Sequence, residues 1–317
     1  MPTLAEVKGK VDFGIITIRE DEFEAVLRRL PKIGRVSGRR EYNIRKLELQ
    51  DGQHYLIAVI RCIEQGNGEA QSAAEDLIAE IQPRWLLVVG IGGGAPADDF
   101  SLGDVVVSTR IHDFSVEAVL QGQDSEFALT GGPLHRTSAP VAANIPALKD
   151  ELADWHSPSS ISTARPMTNT EASEVYGDDE WRKKILRALG QAEKRTHPVA
   201  ITGAIGSSDK LIKDADILSL WMKFTRQIRV VEMESAGVYR AAHRHDVPSL
   251  SIRGISDIVG LKRDPAWTPY ACDSAAAFTC ALLRTLPIPL NPDPLPLDSF
   301  TKTSTVVTKW EDQIKNP

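Results

Sequence analysis

Cysteine and long apolar runs are scarce in this sequence of 317 residues. The three cysteines, Cys62, Cys272 and Cys280, include no closely spaced pair, which indicates reduced structural thiols and argues against a disulfide framework or a zinc site. No run of about 18 apolar residues is present, and the first ten residues lack a signal-peptide core. We therefore expect a cytoplasmic protein that has no membrane among its partners.

Positive charge is also in deficit along the chain. Lys and Arg number 37 against 43 Asp and Glu, which leaves a net charge of −6. This balance provides no general attraction to a nucleic acid polymer or to an anionic membrane, so neither is an expected partner. Hydrophobic residues make up 42% of the chain, enough to form a large core in one α/β domain or in two smaller ones.

The richest concentration of chemical groups lies in residues 230–257, VVEMESAGVYRAAHRHDVPSLSIRGISD. The pattern predicts a strand, a helix that begins near Glu234, and a second apolar strand that ends at Ser256 and Asp257. Two parallel strands joined by a helix have their carboxyl ends at the same sheet edge, where open α/β sheets bind ligands. Glu234 and Asp257 would then share one crevice. The spacing alone fits equally well a favourable acid in a first helical turn and a helix cap.

Several ordered blocks add to this stretch a resemblance to a known family. VEMES and IRGISD resemble the VEMEA and RAISD of 5′-methylthioadenosine/S-adenosylhomocysteine nucleosidases, within the nucleoside phosphorylase and nucleosidase superfamily. GIITIREDE, GIGGG with LGDVVVS and HD, and SSDKLI are similar to further blocks of these enzymes in the same order. The resemblance covers residues 11–286. It implies a single three-layer α/β domain over residues 1–286, with a mixed central sheet flanked by helices.

The resemblance also implies which acids carry the chemistry. Cleavage of an N-glycosidic bond creates positive charge on the ribose and requires a proton for the departing base. By its place in the family pattern, Glu22 would activate the attacking water, and Glu234 would hold the ribose hydroxyls. Asp257 would donate a proton toward purine N7 with Ser256 orienting it, and Met233 would pack against the sugar. The resemblance implies no metal and no organic cofactor.

Other matching positions are expected to contact the substrate. The backbone amides of Gly92 and Gly93 suit an oxyanion or a ribose oxygen. Leu211 stands where the family has an aromatic residue stacked on the purine, and the backbone of Ile212 would read the base edge. Leu211 also fits a simple packing role. Ile91 replaces a serine that holds phosphate or water in relatives, which favours hydrolysis over phosphorolysis.

Four cations are candidates for binding substrate phosphates: Arg19, Lys210, Lys262 and Arg263. The blocks DEFEAV and KRDPAWTPYACDSAAAF look similar to nucleosidase domains of bacterial antiviral defence proteins, some of which remove adenine from ATP. Arg19 could instead pair with the acids that follow it, and Lys262 with Arg263 also fits a solvated loop. A substrate of the methylthioadenosine type would require an apolar pocket at its 5′ position.

We therefore predict a hydrolase that releases the base from an adenine-type purine nucleoside or nucleotide. Two alternatives stay open, a phosphorolytic purine nucleoside phosphorylase and a nucleotide-sensing module without catalysis. Relatives assemble from several copies, so the resemblance implies a homo-oligomer. The alternating prolines of LPIPLNPDPLPL predict a domain boundary. Residues 287–317 then form a linker and tail that suit either a free end or the lead into a further module.

Overall fold

The computed structural model describes residues 2–49, 52–118, 126–168, 174–225 and 227–295. Its α-helices are α1 (Leu4–Val7), α2 (Glu20–Leu27), α3 (Asn67–Glu80), α4 (Ser138–Asn144), α5 (Asp179–Lys194), α6 (Ala215–Phe224), α7 (Ser235–Arg244) and α8 (Trp267–Arg284). Two 3₁₀ helices lie at Ile145–Ala147 and Ala153–His156. None of the helices in these ranges combines the length and apolar character needed to cross a membrane.

The strands form one large mixed sheet and a small two-stranded sheet. They are β1 (Phe13–Thr17), β2 (Lys32–Ser37), β3 (Glu41–Glu48), β4 (His54–Arg61), β5 (Trp85–Gly94), β6 (Val105–Asp113), β7 (Glu117–Ala118), β8 (Glu126–Phe127), β9 (Thr130–Pro133), β10 (Ala200–Ser207), β11 (Ile228–Glu232) and β12 (Ser249–Ile258). The large sheet has the order β11-β10-β6-β12-β5-β1-β4-β3-β2, and β9 pairs with β6. Strands β7 and β8 form the small sheet.

Helices cover both faces of the large sheet, as predicted for a three-layer α/β domain. Side chains alternate along β1, so that Phe13 and Ile15 join the core on one face while Ile16 joins the core on the other. Helices α2 and α8 pack together on the first face, and α3 and α7 pack together on the second. The predicted mixed sheet with flanking helices is confirmed.

The large sheet closes on itself around β5. Strand β12 pairs with β5 in parallel, and β11 pairs antiparallel with the last residues of β5, in the register Val231 to Gly93. The glycines of β5 permit this second pairing, because a Cβ at Gly92 would lie 3.0 Å from the Val231 carbonyl oxygen. The prediction that β11 and β12 are parallel strands of one unit was therefore wrong. They run in opposite directions and meet at the same glycines.

The first residues of the predicted proline-rich linker lie against the domain. The Tyr55 hydroxyl donates to the Ile288 carbonyl oxygen, and Arg84 Nη1 donates to that of Pro289 at 2.6 Å. Leu295 is buried in the core on the face of α3 and α7. Residues 287–295 thus pack as part of the body, although the domain boundary at residue 286 stays a prediction. The rest of the predicted tail, residues 296–317, lies outside the described residues.

Candidate active site

Glu22 lies in the first turn of α2, directly after β1, and its side chain turns inward. Its Oε2 accepts hydrogen bonds from the backbone N–H groups of Ile18 and Arg19, both at 2.9 Å. Its Oε1 accepts one from the N–H of Ile91, also at 2.9 Å. Burial raises the pKa of Glu22, while these N–H donors and the nearby charge of Arg253 act in the opposite direction. The carboxylate is thus fixed in place by backbone, unlike a solvated acid of a helix terminus.

Gly90 makes room for this carboxylate. A Cβ at Gly90 would contact Glu22 Oε1 and would lie 2.7 Å from Arg253 Nη1. Any side chain larger than hydrogen at this position of β5 would therefore displace both charged groups. The glycines of β5 thus serve the buried charges as well as the closure of the sheet.

Two further carboxylates lie where β11 ends and α7 begins. Glu232 accepts hydrogen bonds from the N–H of Glu234 at 3.1 Å and from the N–H and hydroxyl of Ser235, each at 2.9 Å. Glu234 Oε1 accepts one from the Gly66 N–H at 3.3 Å. Burial, followed by repulsion from Glu232, raises the pKa of Glu234 to about 7. The buried acids are therefore coupled through their charges.

Arg253 of β12 lies beneath these acids and is fully buried. Its Nη2 donates to Glu232 and lies 3.6 Å from Glu234 Oε2. Its Nε and Nη1 have no hydrogen-bond partner among the described residues. A buried guanidinium requires neighbouring negative charge, and here three carboxylates supply it. Arg253 in turn lowers the cost of burying Glu22, Glu232 and Glu234 together.

Asp257 lies at the end of β12, beside Gly93. Its Oδ1 accepts a hydrogen bond from the Ser256 hydroxyl at 2.7 Å. Arg263 Nε lies 4.0 Å from the same oxygen. The other carboxylate oxygen would lie 3.3 Å from a Cβ placed at Gly93. Asp257 is therefore held at the edge of the glycine stretch, with one oxygen oriented by a neutral hydroxyl donor.

The four carboxylates line one cleft of about 270 Å³ together with Ser256 and Arg263, while Arg253 lies beneath it. The predicted residues that line it are Arg19, Glu22, Gly92, Gly93, Lys210, Leu211, Ile212, Met233, Glu234, Ser256, Asp257 and Arg263. Lys262 lies elsewhere, because its Nζ binds Glu174 Oε1 at 2.6 Å on the protein surface. Arg19 is paired with Asp21, as one of the two interpretations of the sequence proposed. The structure thus brings together most of the predicted set, while their chemical roles stay predictions.

Comparison with known proteins places this chain in a family. Residues 12–286 match the sequence profile described as the Phosphorylase superfamily. The chain belongs to this superfamily. The predicted relationship to nucleoside phosphorylases and nucleosidases is thereby confirmed.

Individual relatives of the superfamily are distant. ATP nucleosidase Cap17 of Escherichia coli (strain KTE188) is 26% identical over 221 residues, which cover 69% of this chain and 39% of that protein. The 5′-methylthioadenosine/S-adenosylhomocysteine nucleosidase of Listeria welshimeri is 24% identical over 279 residues, which cover 86% of this chain and 99% of that protein. This chain therefore spans about two-fifths of the length of Cap17, and most of the length of the Listeria protein.

A solved structure shares the fold. The crystal structure of 5′-methylthioadenosine/S-adenosylhomocysteine nucleosidase from Neisseria meningitidis, in complex with methylthio-immucillin-A, matches with a TM-score of 0.55 and 18% identity. The match covers 87% of this chain and 99% of that one. At this identity the match shows the phosphorylase-superfamily fold and leaves the substrate open.

Four polar or charged residues in or beneath the cleft escaped the sequence analysis: Arg253, Glu232, Gln65 and Lys213. Arg253 had a visible signal, since a charged residue within the apolar strand SLSIRGIS requires a buried partner. Glu232 stands in the VEMES block, but the family pattern gave no role to it. Gln65 and Lys213 stand in polar loops, where no local pattern separates a cleft residue from a solvated one.

Proposed function

We propose that this chain hydrolyses the N-glycosidic bond of an adenine-type purine nucleoside or nucleotide and releases the base. The observation that carries the proposal is the convergence of Glu22, Glu234 and Asp257, from distant parts of the chain, on one cleft. Membership of the phosphorylase superfamily supports it, and so do the nucleosidase names of the relatives. Because the chain covers only part of Cap17, cleavage of ATP in particular is part of the proposal.

Glu22 would act on water. Oε2 accepts two of the three backbone N–H groups, whereas Oε1 accepts one and keeps a further lone pair with which to accept a proton. Arg253 lies beside Gly90 and next to the same carboxylate, and its charge favours the ionised form of Glu22 that a general base requires. A general base requires this kind of positioning before its pKa matters.

Asp257 would act on the leaving base. As the bond between ribose C1′ and purine N9 breaks, its electron pair moves into the purine, and Asp257 supplies a proton at N7. Water then adds to C1′ and gives its proton to Glu22. Ionised Glu234 would accept hydrogen bonds from the ribose hydroxyls and stabilise the positive charge that develops on the sugar. The products are the free base and a ribose that keeps its 5′ substituent.

Water is preferred over phosphate as the nucleophile because of Ile91. Its side chain lines the cleft and offers no hydrogen bond, and its backbone N–H already binds Glu22. A phosphate ion at this position would therefore lose a donor that a hydroxyl side chain would supply. Base release should proceed equally well with and without inorganic phosphate, and a strict requirement for phosphate would favour phosphorolysis instead.

The test is adenine release, followed by chromatography, from ATP, AMP, adenosine and methylthioadenosine. We expect Glu22→Gln to lower kcat by about 10²- to 10⁴-fold, the usual loss on removing a general base. Glu24→Gln is the matched control, since Glu24 is exposed on the same helix. Failure of the wild-type chain to release a base from any of the four would overturn the proposal. Tight binding without release would support the nucleotide-sensing alternative.

The proposal includes three further predictions. They are assembly as a homo-oligomer, a cytoplasmic location and a role in bacterial antiviral defence. The first would be measured by sedimentation of the purified chain. The other two depend on the cell in which the protein acts.

A further inference from the structure

The wall of the cleft beside β1 is charged and polar. Arg19 and Gln65 line the cleft there, together with Ile18. A thioether or other apolar 5′ substituent requires an apolar wall, since it gains little from a guanidinium and an amide. A phosphate gains a charge-assisted hydrogen bond from the same guanidinium.

The position of Arg19 suits the 5′ end of a bound nucleoside. Strands β12 and β1 pair with opposite edges of β5, so that Asp257 and Arg19 lie on opposite sides of it. In the proposed function Asp257 binds the base and Glu234 binds the ribose hydroxyls. The base and C5′ leave the ribose ring at opposite ends, so C5′ points away from β12 and toward β1.

The other cations of the cleft lie near the base in this arrangement. Arg263 Nε is 4.0 Å from Asp257. Lys210 and Lys213 flank Leu211 and Ile212, the pair expected at the base. Among the cleft-lining residues that the structure describes, Arg19 is thus the cation on the β1 side.

Asp21 holds Arg19 in a fixed orientation. Nε of Arg19 donates to Asp21 Oδ1 at 2.9 Å, and Nη2 donates to Oδ2 at 2.8 Å. This bidentate pair occupies one edge of the guanidinium and leaves the edge formed by Nη1 and Nη2. That second edge matches the spacing of two phosphate oxygens. The side chain is 38% exposed and therefore accessible to a ligand.

A phosphate in this cleft also requires such a cation. Glu22, Glu232, Glu234 and Asp257 line the cleft and would repel a phosphate when ionised. Arg253 offsets part of this charge, but it is fully buried and committed to the acids. The positive charge that a 5′-phosphate requires must therefore come from the cleft wall beside β1.

From these observations we infer that the substrate is a nucleoside 5′-phosphate, and that Arg19, oriented by Asp21, is the residue that selects for the phosphate. This inference rests on the proposed function for the orientation of the nucleoside. The affinity for purine ligands tests the inference, and this affinity can be measured without catalysis.

The test uses calorimetric titration of the Glu22→Gln protein with ATP, AMP and adenosine. We expect the two nucleotides to bind about 10- to 100-fold more tightly than adenosine, as one or two charge-assisted hydrogen bonds allow. Adding Arg19→Met should reduce this ratio to near one, and Arg19→Lys should keep part of it because the charge remains. The backbone N–H of Arg19 persists in both variants, so Glu22 and its substitute keep that donor.

Arg35→Met is the matched control, because Arg35 also pairs with an acid, Glu41 at 3.4 Å, but on β2 at the far edge of the sheet. It should leave the ratio unchanged. Equal affinity for ATP and adenosine, an unchanged ratio in Arg19→Met, or no binding of any purine ligand would each overturn the inference. If binding depends on phosphate and Arg19 while the wild type releases no base, the proposed hydrolysis fails and this inference stands.

Discussion

The floor of the cleft and its rim are built in opposite ways. The floor consists of the cleft-lining acids Glu22, Glu232 and Glu234, supported from beneath by Arg253, and all four are buried and tied to backbone N–H groups or to one another. The rim consists of Lys210, Leu211 and Lys213, on the loop that follows β10. Leu211 is 63% exposed there. The floor is therefore organised before a substrate arrives, while the rim has room to adjust to the substrate.

This difference has an energetic origin. A buried carboxylate is stable only when donors or cations surround it, so the floor residues depend on one another. An exposed side chain has water as an alternative partner, so each rim residue can change alone. Substitutions should therefore have large, coupled effects in the floor and small, independent effects in the rim.

The largest effect is expected for Arg253→Met. It removes the cation shared by Glu22, Glu232 and Glu234 and leaves their charges uncompensated, which should lower the free energy of unfolding by about 3 to 5 kcal/mol. Denaturation by urea measures this change. Arg35→Met, which breaks an exposed ion pair, should stay within about 0.5 kcal/mol of wild type. Similar losses of unfolding free energy in the two variants would contradict the conclusion that the floor acids depend on Arg253.

The next largest effect is expected for the pH dependence of the free energy of unfolding, to which Glu234 contributes. Its folded pKa of about 7 lies above the ordinary value of 4.5, so the folded state binds this proton more tightly than the unfolded state. The resulting stabilisation is complete below about pH 4.5 and is lost as pH rises through about 7. Glu234→Gln should remove this part of the slope when unfolding free energies are measured across that range.

Ionisation of Glu234 should also make activity depend on pH. Only ionised Glu234 accepts hydrogen bonds from both ribose hydroxyls, so kcat/KM should rise as the pH increases through about 7. The opposite trend would show that the protonated acid is the active form. In that case Glu234 would serve as a donor, and its proposed role would have to change.

The smallest effect is expected for the rim. Leu211→Ala should change the free energy of unfolding by less than about 0.5 kcal/mol, because the side chain is largely exposed. Its neighbour Ile212 is buried, so Ile212→Ala should cost about 2 to 5 kcal/mol. Thermal and urea denaturation of the two variants tests this contrast. A clear loss of stability in Leu211→Ala would instead support the packing role considered for that residue.

The sequence predicted the acids at the strand ends of the candidate site, but it did not predict which loop side chains turn toward the cleft. Glu22, Glu234 and Asp257 each follow or end a recognisable strand, so the sequence located them. Lys262 follows a strand equally closely, yet it binds Glu174 and lies outside the cleft. Which way a loop side chain turns depends on partners far along the chain, and sequence spacing carries no information about them.

The sequence by itself determined the α/β class, the strands and the acids at their ends, because a buried strand requires a local apolar pattern that can be read directly. The tertiary structure alone decided how these acids meet. Gly93 pairs with β11 and β12 from its two sides, and Arg253 binds acids that precede it in the chain. Such contacts join segments distant in sequence, and they form only where the closed sheet and the burial of charge favour them together.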